Sequence, residues 1–378
     1  MQIKIPRETL LNAVGRTLGV VDRRGTMPIL ANFLLQTTED QRISIAATDL
    51  EVSFRGYYPA DIEEPGALTV HAHNFFNLVK ELPGQVIHLQ STERANLEIR
   101  VGDSYYQLHC QPVDNFPPVP EITDQNLVEV PSIMIKDMIE KTIFSVSVDD
   151  LQYHLSSIYW ERVEFEEGYL LRLISTDGHR LTLIERPLPA TGDLPIEKGI
   201  LIPRKGMAEV IRFLGEEDKV LLGLGKQSLA LKADDRYLFI RLLLDKKFPE
   251  YRRIIPESFV FKFGLNRKLF TDAIRRISLL STDRFKGVVF KLFPESIEVS
   301  FTNPEVGEGR EIMPLFLEEG DASLLPMEVG FNARYFLEPL NLMKSDLVIL
   351  ELNDRERPCR LRDQGDPHYF SIIMPMSL

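Results

Sequence analysis

Four sets of residues carry side chains suited to chemistry. Thr176, Asp177 and His179 supply a hydroxyl, a carboxylate and an imidazole, the parts of a nucleophilic hydrolase. Residues two apart on one turn do not make a triad, however, and no Gly-x-Ser-x-Gly elbow occurs. Gly223-Leu224-Gly225-Lys226 resembles a phosphate loop, but it lacks the Gly-x-x-x-x-Gly-Lys-Ser/Thr spacing and Gln227 follows the lysine. His71 and His73 can share a strand face, yet two histidines without further ligands make a weak metal site. The two cysteines, Cys110 and Cys359, form neither a disulfide framework nor a Cys-x-x-Cys pair. No catalytic residue, metal site or cofactor is therefore expected.

The elements that would position these residues recur. The chain has 378 residues, and a third of it, 126, is the size of one domain. After an apolar strand, a Thr–Asx pair starts at Thr48-Asp49, Thr176-Asp177 and Thr302-Asn303. The Asx side chain suits a strand-to-strand turn because it can accept from nearby backbone N–H groups. An amphipathic helix is expected early in each third, at Arg7 to Arg24, Ile135 to Ile143 and Asn266 to Leu280. A second follows at Ala72 to Glu81, Pro203 to Leu214 and Asn332 to Lys344, each leading into a strand (Val86 to Gln90, Lys219 to Leu224, Leu347 to Leu352). Tyr105 to Cys110 runs into Phe116-Pro117, and Tyr237 to Leu244 runs into Phe248-Pro249. The third such ending, Tyr369 to Leu378, closes the chain. Alternation in Ile43 to Phe54, Tyr169 to Glu185 and Ser296 to Met313 reads as half-buried antiparallel strands. The fold expected is α+β: three repeated domains at 1–126, 127–253 and 254–378, each two antiparallel sheets backed by two helices. Proline-bearing stretches at Pro117–Pro120 and Pro249–Pro256 read as linkers.

Composition bounds the function. Hydrophobic residues make up 44% and charged residues 26%, as in soluble packed proteins. No stretch approaches the roughly 18 apolar residues of a membrane helix, and the start lacks a signal-peptide core. A cytoplasmic, soluble protein is expected. The net charge of −12 argues against nucleic acid, but it is unevenly spread. The six helical segments carry +8 together and everything else −20. If the helices share one face, that face is basic and admits nucleic acid. Domains of this size are spheres about 36 Å across; a ring of three leaves a hole of roughly 6 Å and a ring of six about 36 Å. Duplex DNA is about 20 Å wide. One chain cannot encircle it, whereas two chains head to tail can, and such a ring needs no sequence readout.

Six blocks carry a family resemblance. They are Ala47-Thr48-Asp49-Leu50-Glu51, Thr176-Asp177-Gly178-His179-Arg180-Leu181, Pro203-Arg204-Lys205-Gly206, Phe248-Pro249-Glu250-Tyr251-Arg252-Arg253-Ile254-Ile255-Pro256, Phe285-Lys286-Gly287-Val288 and Met374-Pro375-Met376. In this order, over essentially the whole chain, they resemble the bacterial DNA polymerase III beta subunit, the replicative sliding clamp.

The resemblance implies a non-catalytic processivity factor. It would be a head-to-tail homodimer ring around duplex DNA, opened by a clamp loader. It would tether the replicative polymerase and other replication and repair proteins. Partner peptides would enter a pocket between the second and third domains, at Leu155, Thr176, Gly178, His179, Arg180, Leu181, Pro249, Arg253, Ile254, Asn332, Tyr335, Ile372, Ile373, Met374, Pro375 and Met376. An apolar groove with polar edges suits Leu and Phe anchors of an extended peptide, and methionines repack for several partners. Ser377 stands where family members often carry a basic residue. Arg24, Arg204 and Lys205 match DNA-facing positions, with His73 adding charge only when protonated. Gln152, Tyr153 and His154 match a loop that can touch DNA, although Asp149 and Asp150 beside them repel phosphate. Tyr106 and Leu108 match an edge strand of the dimer interface, Leu279 and Leu280 its apolar counterpart, and Glu311 its acidic rim.

Overall fold

A computed structural model of the chain describes residues 1–378 except 23–24, 93–95, 121–126, 149–153, 167, 189–193, 197, 216, 282–286 and 378. Six helices lie among the described residues: α1 (Arg7–Gly15), α2 (Ala72–Glu81), α3 (Ser132–Ile143), α4 (Arg204–Phe213), α5 (Arg267–Ser278) and α6 (Ala333–Leu342). None is long and apolar enough to cross a membrane. The first helix stops well short of the expected Arg24. Its apolar spacing runs on through Leu18 and Val21, but Gly15 disfavours helix and the Thr17 hydroxyl bonds back to the Val14 carbonyl at 2.7 Å.

Backbone hydrogen bonds repeat along with the sequence. The first residue of each leading helix donates its N–H to a carbonyl just before the strand that follows the second helix. These bonds are Arg7 to Gln85 (2.8 Å), Ser132 to Asp218 (2.9 Å) and Arg267 to Asp346 (2.7 Å). In the first and last repeats the same arginine also caps the second helix. Arg7 Nε reaches the Val79 carbonyl at 3.0 Å, and Arg267 reaches the carbonyls of Ser345 and Leu340. A cation there satisfies carbonyls that the helix itself leaves unpaired.

The strands form two compact units, residues Met1–Lys136, Pro189–Ile196 and Lys205–Leu243 in one and Asp137–Leu188, Glu197–Arg204 and Leu244–Leu378 in the other. The first unit holds a five-stranded antiparallel sheet ordered Asp61–Glu64, Gln2–Pro6, Val86–Ser91, Asn96–Val101, Ser104–His109. It also holds an eight-stranded sheet ordered Leu127–Pro131, Lys219–Leu224, Ser228–Ala233, Arg236–Arg241, Val52–Pro59, Arg42–Thr48, Asn32–Thr37, Ala67–His71. The second unit carries a twelve-stranded sheet. It runs from Ile200–Pro203 through Ser157–Phe165, Gly168–Thr176 and Arg180–Pro187 into Asp366–Ile373, Cys359–Asp363, Leu347–Leu352 and Phe261–Asn266. It then continues through Gly307–Glu319 to Ser296–Asn303, Gly287–Leu292 and Met327–Asn332.

The sheets of neighbouring repeats run on into one another. Arg236–Ile240 pairs antiparallel with Val52–Gly56, and Arg180–Ile184 pairs with Tyr369–Ile373. In both places the strand that leaves the Thr–Asp turn joins the final strand of the next repeat. Such joints hide two edges that would otherwise present unpaired N–H and C=O groups. The Pro249–Pro256 stretch is packed rather than a free linker. Tyr251 is buried against Ile174, Leu181, Leu183 and Ile372, with Phe248 stacked on Tyr159 at 5.0 Å between ring centroids. The Tyr251 hydroxyl donates to Glu161, and Arg172 donates to the same carboxylate at 2.7 Å.

Candidate peptide-binding groove

Five of the residues expected in the groove lie on or beside one turn of the second unit, Thr176 to Leu181. Thr176 Oγ1 accepts the Gly178 N–H at 3.1 Å, and Asp177 Oδ1 accepts from the His179 and Arg180 amides at 3.0 and 3.1 Å. Gly178 sits at φ +89°, a left-handed conformation that glycine adopts without steric cost. The first repeat makes the same turn, with Thr48 Oγ1 accepting from Leu50 and Asp49 Oδ1 from Glu51 and Val52. There Leu50 must hold φ +75°.

Arg180 is the centre of the site. Its side chain is only 3% exposed. It pairs with Asp177 at 3.1 Å and with Glu338 of α6, and donates to the Phe144 carbonyl at 2.6 Å. The guanidinium lies over Tyr335 at 4.6 Å and Phe144 at 5.2 Å. Glu338 is also held by Arg334, one helical turn earlier, at 2.9 Å. Burial, then Asp177, raises the Tyr335 phenol above its ordinary range. Asn332 caps α6 by accepting the Arg334 amide at 3.1 Å.

The groove residues expected from sequence fall in several settings. Leu155, Thr176, Leu181, Ile372 and Ile373 are buried. His179, Arg180, Asn332 and Tyr335 line a cavity of about 1070 Å³, together with Arg204 and Glu338. Arg253, Ile254 and Met374 line a cleft of about 550 Å³, while Pro375 and Met376 line another of about 490 Å³ with Ser377. Pro249 lies beside this set, its carbonyl accepting the Tyr251 amide at 2.7 Å. The terminal strand is pinned past its last ladder pair: the Met374 amide donates to His179 at 3.0 Å and the Met376 amide to Gly330 at 2.8 Å. Met374 and Met376 remain 37% and 43% exposed.

Phe144, Glu338 and the Glu161–Arg172–Tyr251 network were not singled out from sequence. Glu338 had a signal, its place four residues after Arg334. Nearby, Asp366 is held by Arg186 at 2.5 Å and Lys141 at 3.3 Å. Burial pushes its carboxyl up, but those cations outweigh it and hold it below its ordinary range. A carboxyl lowered in the folded state adds stability above the unfolded value of about 4 and loses it as pH falls through the folded value. Asp366→Asn should therefore lower the melting temperature at neutral pH and flatten its decline below about pH 4. An unchanged decline in a pH series of melts would show that Asp366 has no part in it.

Of the DNA-facing candidates, Arg24, Gln152 and Tyr153 lie outside the described residues. In the first unit Lys205 pairs with Asp49, and His73 lies with its ring 6.5 Å from that of His71. In the second unit the Arg204 amide donates to Ser156 at 3.0 Å, and the His154 carbonyl accepts from Ser157. Among the described residues no group of three or more His, Cys, Asp or Glu could hold a metal. Of the dimer candidates, Tyr106 and Leu108 lie on Ser104–His109, which pairs only with Asn96–Val101 among the described strands. Leu279 is 78% exposed just past α5, Leu280 half-buried beside it, and Glu311 takes both arms of Arg276 at 2.7 and 2.6 Å.

Three α+β repeats joined strand to strand define a fold of clamp type. Models of the DNA polymerase III beta subunit match the chain throughout: the N-terminal domain over residues 1–120, the central domain over 129–250 and the C-terminal domain over 252–377. The chain belongs to the DNA polymerase III beta subunit family. It is 32% identical to the beta sliding clamp of Salmonella typhimurium and 31% to that of Escherichia coli K12, covering 100% of each pair. Among solved structures, a DnaN sliding clamp from Bartonella birtlesii bound to griselimycin matches with TM-score 0.92 at 29% identity. The DNA polymerase sliding clamp of Caulobacter crescentus matches with TM-score 0.91 at 30% identity. Coverage is 100% of both chains in each case.

Proposed function

We propose that two copies of this chain close head to tail into a ring around duplex DNA, and that the ring tethers the replicative polymerase and other partners. One observation carries the reading. Two joints inside the chain are made the same way, by a strand leaving a Thr–Asp turn and the last strand of the next repeat. The two components of a third such joint are left over, at opposite ends of the repeat: Ser104–His109, and the first part of the strand after Thr302-Asn303, Gly307–Pro314, which among the described strands pairs only with Ser296–Asn303. Complementary edges on one chain favour a closed cyclic assembly.

The repeats are taken as domains at 1–126, 127–253 and 254–378. Tyr106, Leu108, Leu279, Leu280 and Glu311 form the contact between copies. Lys205, Arg204 and Arg24, with His73 and the 152–154 loop, face DNA and hold phosphate without reading bases. The groove residues receive an extended partner peptide with Leu and Phe anchors, Met374 and Met376 adapting to different partners. With no motor of its own the ring depends on a clamp loader, and it works in the cytoplasm, where the chromosome is copied.

Small-angle X-ray scattering over a concentration series tests the ring. The expected result is a mass twice 43.4 kDa with the distance distribution of a hollow particle. A compact monomer at every concentration would overturn the ring and leave no hole wide enough for DNA.

A further inference from the structure

We propose that the contact between copies is a third version of the two internal joints from which the cross-joint ion pairs are deleted, and that this deletion sets how readily it opens. The inference rests on the ring reading. Each internal joint is crossed by an ion pair. In the first, Asp49 of the turn pairs with Lys205, the second residue of α4. In the second, Arg180 of the strand after the turn pairs with Glu338 of α6. These positions correspond between repeats. Lys205, Arg334 and His73 are the second residues of α4, α6 and α2, and Glu209, Glu338 and Asn77 lie four residues further on. Asp49, Asp177 and Asn303 are the turn residues. Arg180 immediately precedes the residue that pairs with Thr176, as Val52 precedes the partner of Thr48 and Gly307 that of Thr302.

At the contact between copies both acidic positions are therefore amides, Asn303 and Asn77, and the arginine position is Gly307. The lysine position is His73, an imidazole in place of an ammonium group. Apolar surface takes over instead. Leu279 occupies the place held by Phe144 in the second repeat and Gly19 in the first, counting from the first residue of each leading helix. Gly19 lies so close to the Glu209 and Arg212 side chains that a Cβ there would clash with both, so this position packs against the second helix of the next repeat. Leu279 is then directed at Asn77 and Lys80 of the other copy, where the first joint has Glu209 and Arg212. Apolar contact is non-directional and, unlike an ion pair, fixes no particular partner across the contact.

The experiment installs the missing pair. His73→Lys with Asn303→Asp copies the first joint, and His73→Arg with Asn303→Asp copies the basic residue of α6. Asp keeps the side-chain oxygen that accepts the Glu305 amide, as Asp49 and Asp177 do in their turns, and gives up the Asn303 Nδ2 bond to the Leu280 carbonyl, which is why the melts are read alongside. Exchange of subunits between two fluorescently labelled pools is followed alongside native mass and thermal melts. The double variant that melts like the unmodified chain should exchange about tenfold more slowly, as expected for a close interfacial charge pair, and high salt should erase the gain. Each single variant should exchange no more slowly than the unmodified chain. Dimeric double variants that exchange as fast as the unmodified chain would overturn the proposal. A monomeric unmodified chain would overturn the ring reading itself.

Discussion

Arg180→Ala should cost about 3–5 kcal/mol of stability, the range seen when one partner of a buried ion pair is removed. The guanidinium serves two carboxylates and a backbone carbonyl from a side chain that is 3% exposed. Its loss leaves Asp177 and Glu338 facing each other without the charge between them, and leaves the Phe144 carbonyl without this donor. A cavity opens beneath the rings of Tyr335 and Phe144 that the guanidinium stacks on. Arg334 still reaches Glu338, and the Asp177 carboxylate keeps two backbone amides, so neither acid is wholly abandoned. That places the effect nearer the lower end of the range. Arg180→Lys should recover part of it, because lysine restores the charge but not the planar fork. Urea midpoints of the three proteins measure this. Protection of the amides in Arg180–Ile184 and Tyr369–Ile373 from hydrogen exchange should fall with stability, since Arg180 opens that pairing. A midpoint for Arg180→Ala equivalent to a loss under about 1 kcal/mol would mean that the site collapses or hydrates without penalty, and that Arg180 is not its keystone.

Much of this was legible in sequence where the determinants are local. The Thr–Asx turns declared themselves because the hydroxyl and carboxylate bond amides two or three residues on, a contact that needs no partner elsewhere. The second helices were legible from apolar spacing, and Ala72 to Glu81 came out with the expected ends. The first helix did not, because apolar spacing persists beyond Gly15 where the chain turns but still faces the core at Val20 and Val21. Merging of the sheets was hidden for a different reason. An edge strand of alternating residues looks the same whether its second edge meets water or Arg236–Ile240. Arg180 was picked out only as part of a motif, because an arginine letter does not disclose burial. Its partners Glu338 and Phe144 lie 158 and 36 residues away. Prolines on both sides of Tyr251 read as a linker, yet its ring fills the core and its hydroxyl meets Glu161.

Deleting Met374 to Leu378 should weaken a Leu- and Phe-containing polymerase peptide by roughly thirty- to a hundredfold, or about 2–3 kcal/mol. Two methionines, each less than half exposed, supply an apolar wall that a peptide would cover further. Completing the burial of each is worth about 1 kcal/mol, well short of the 1.5–3 kcal/mol for a whole side chain. The deletion also removes the Met374 amide bond to His179 and the Met376 amide bond to Gly330, freeing the chain at the groove's edge. Stability should suffer little, by about 1 kcal/mol for each net hydrogen bond lost, because Tyr369–Ile373 keeps its pairing with Arg180–Ile184. Arg253→Ala is the informative contrast. Its side chain is 83% exposed and its ion pair with Glu250 is a solvent-screened one. It should cost the same peptide only a few-fold in affinity, through lost stacking and rim contact. Calorimetric titration of the three proteins ranks them, with native mass confirming that each keeps the oligomeric state of the unmodified chain. If the truncated chain melts markedly lower, Met374→Ala with Met376→Ala tests the same wall without freeing the backbone. Peptide affinity unchanged in both truncated and doubly substituted chains would remove the terminal methionines from the groove.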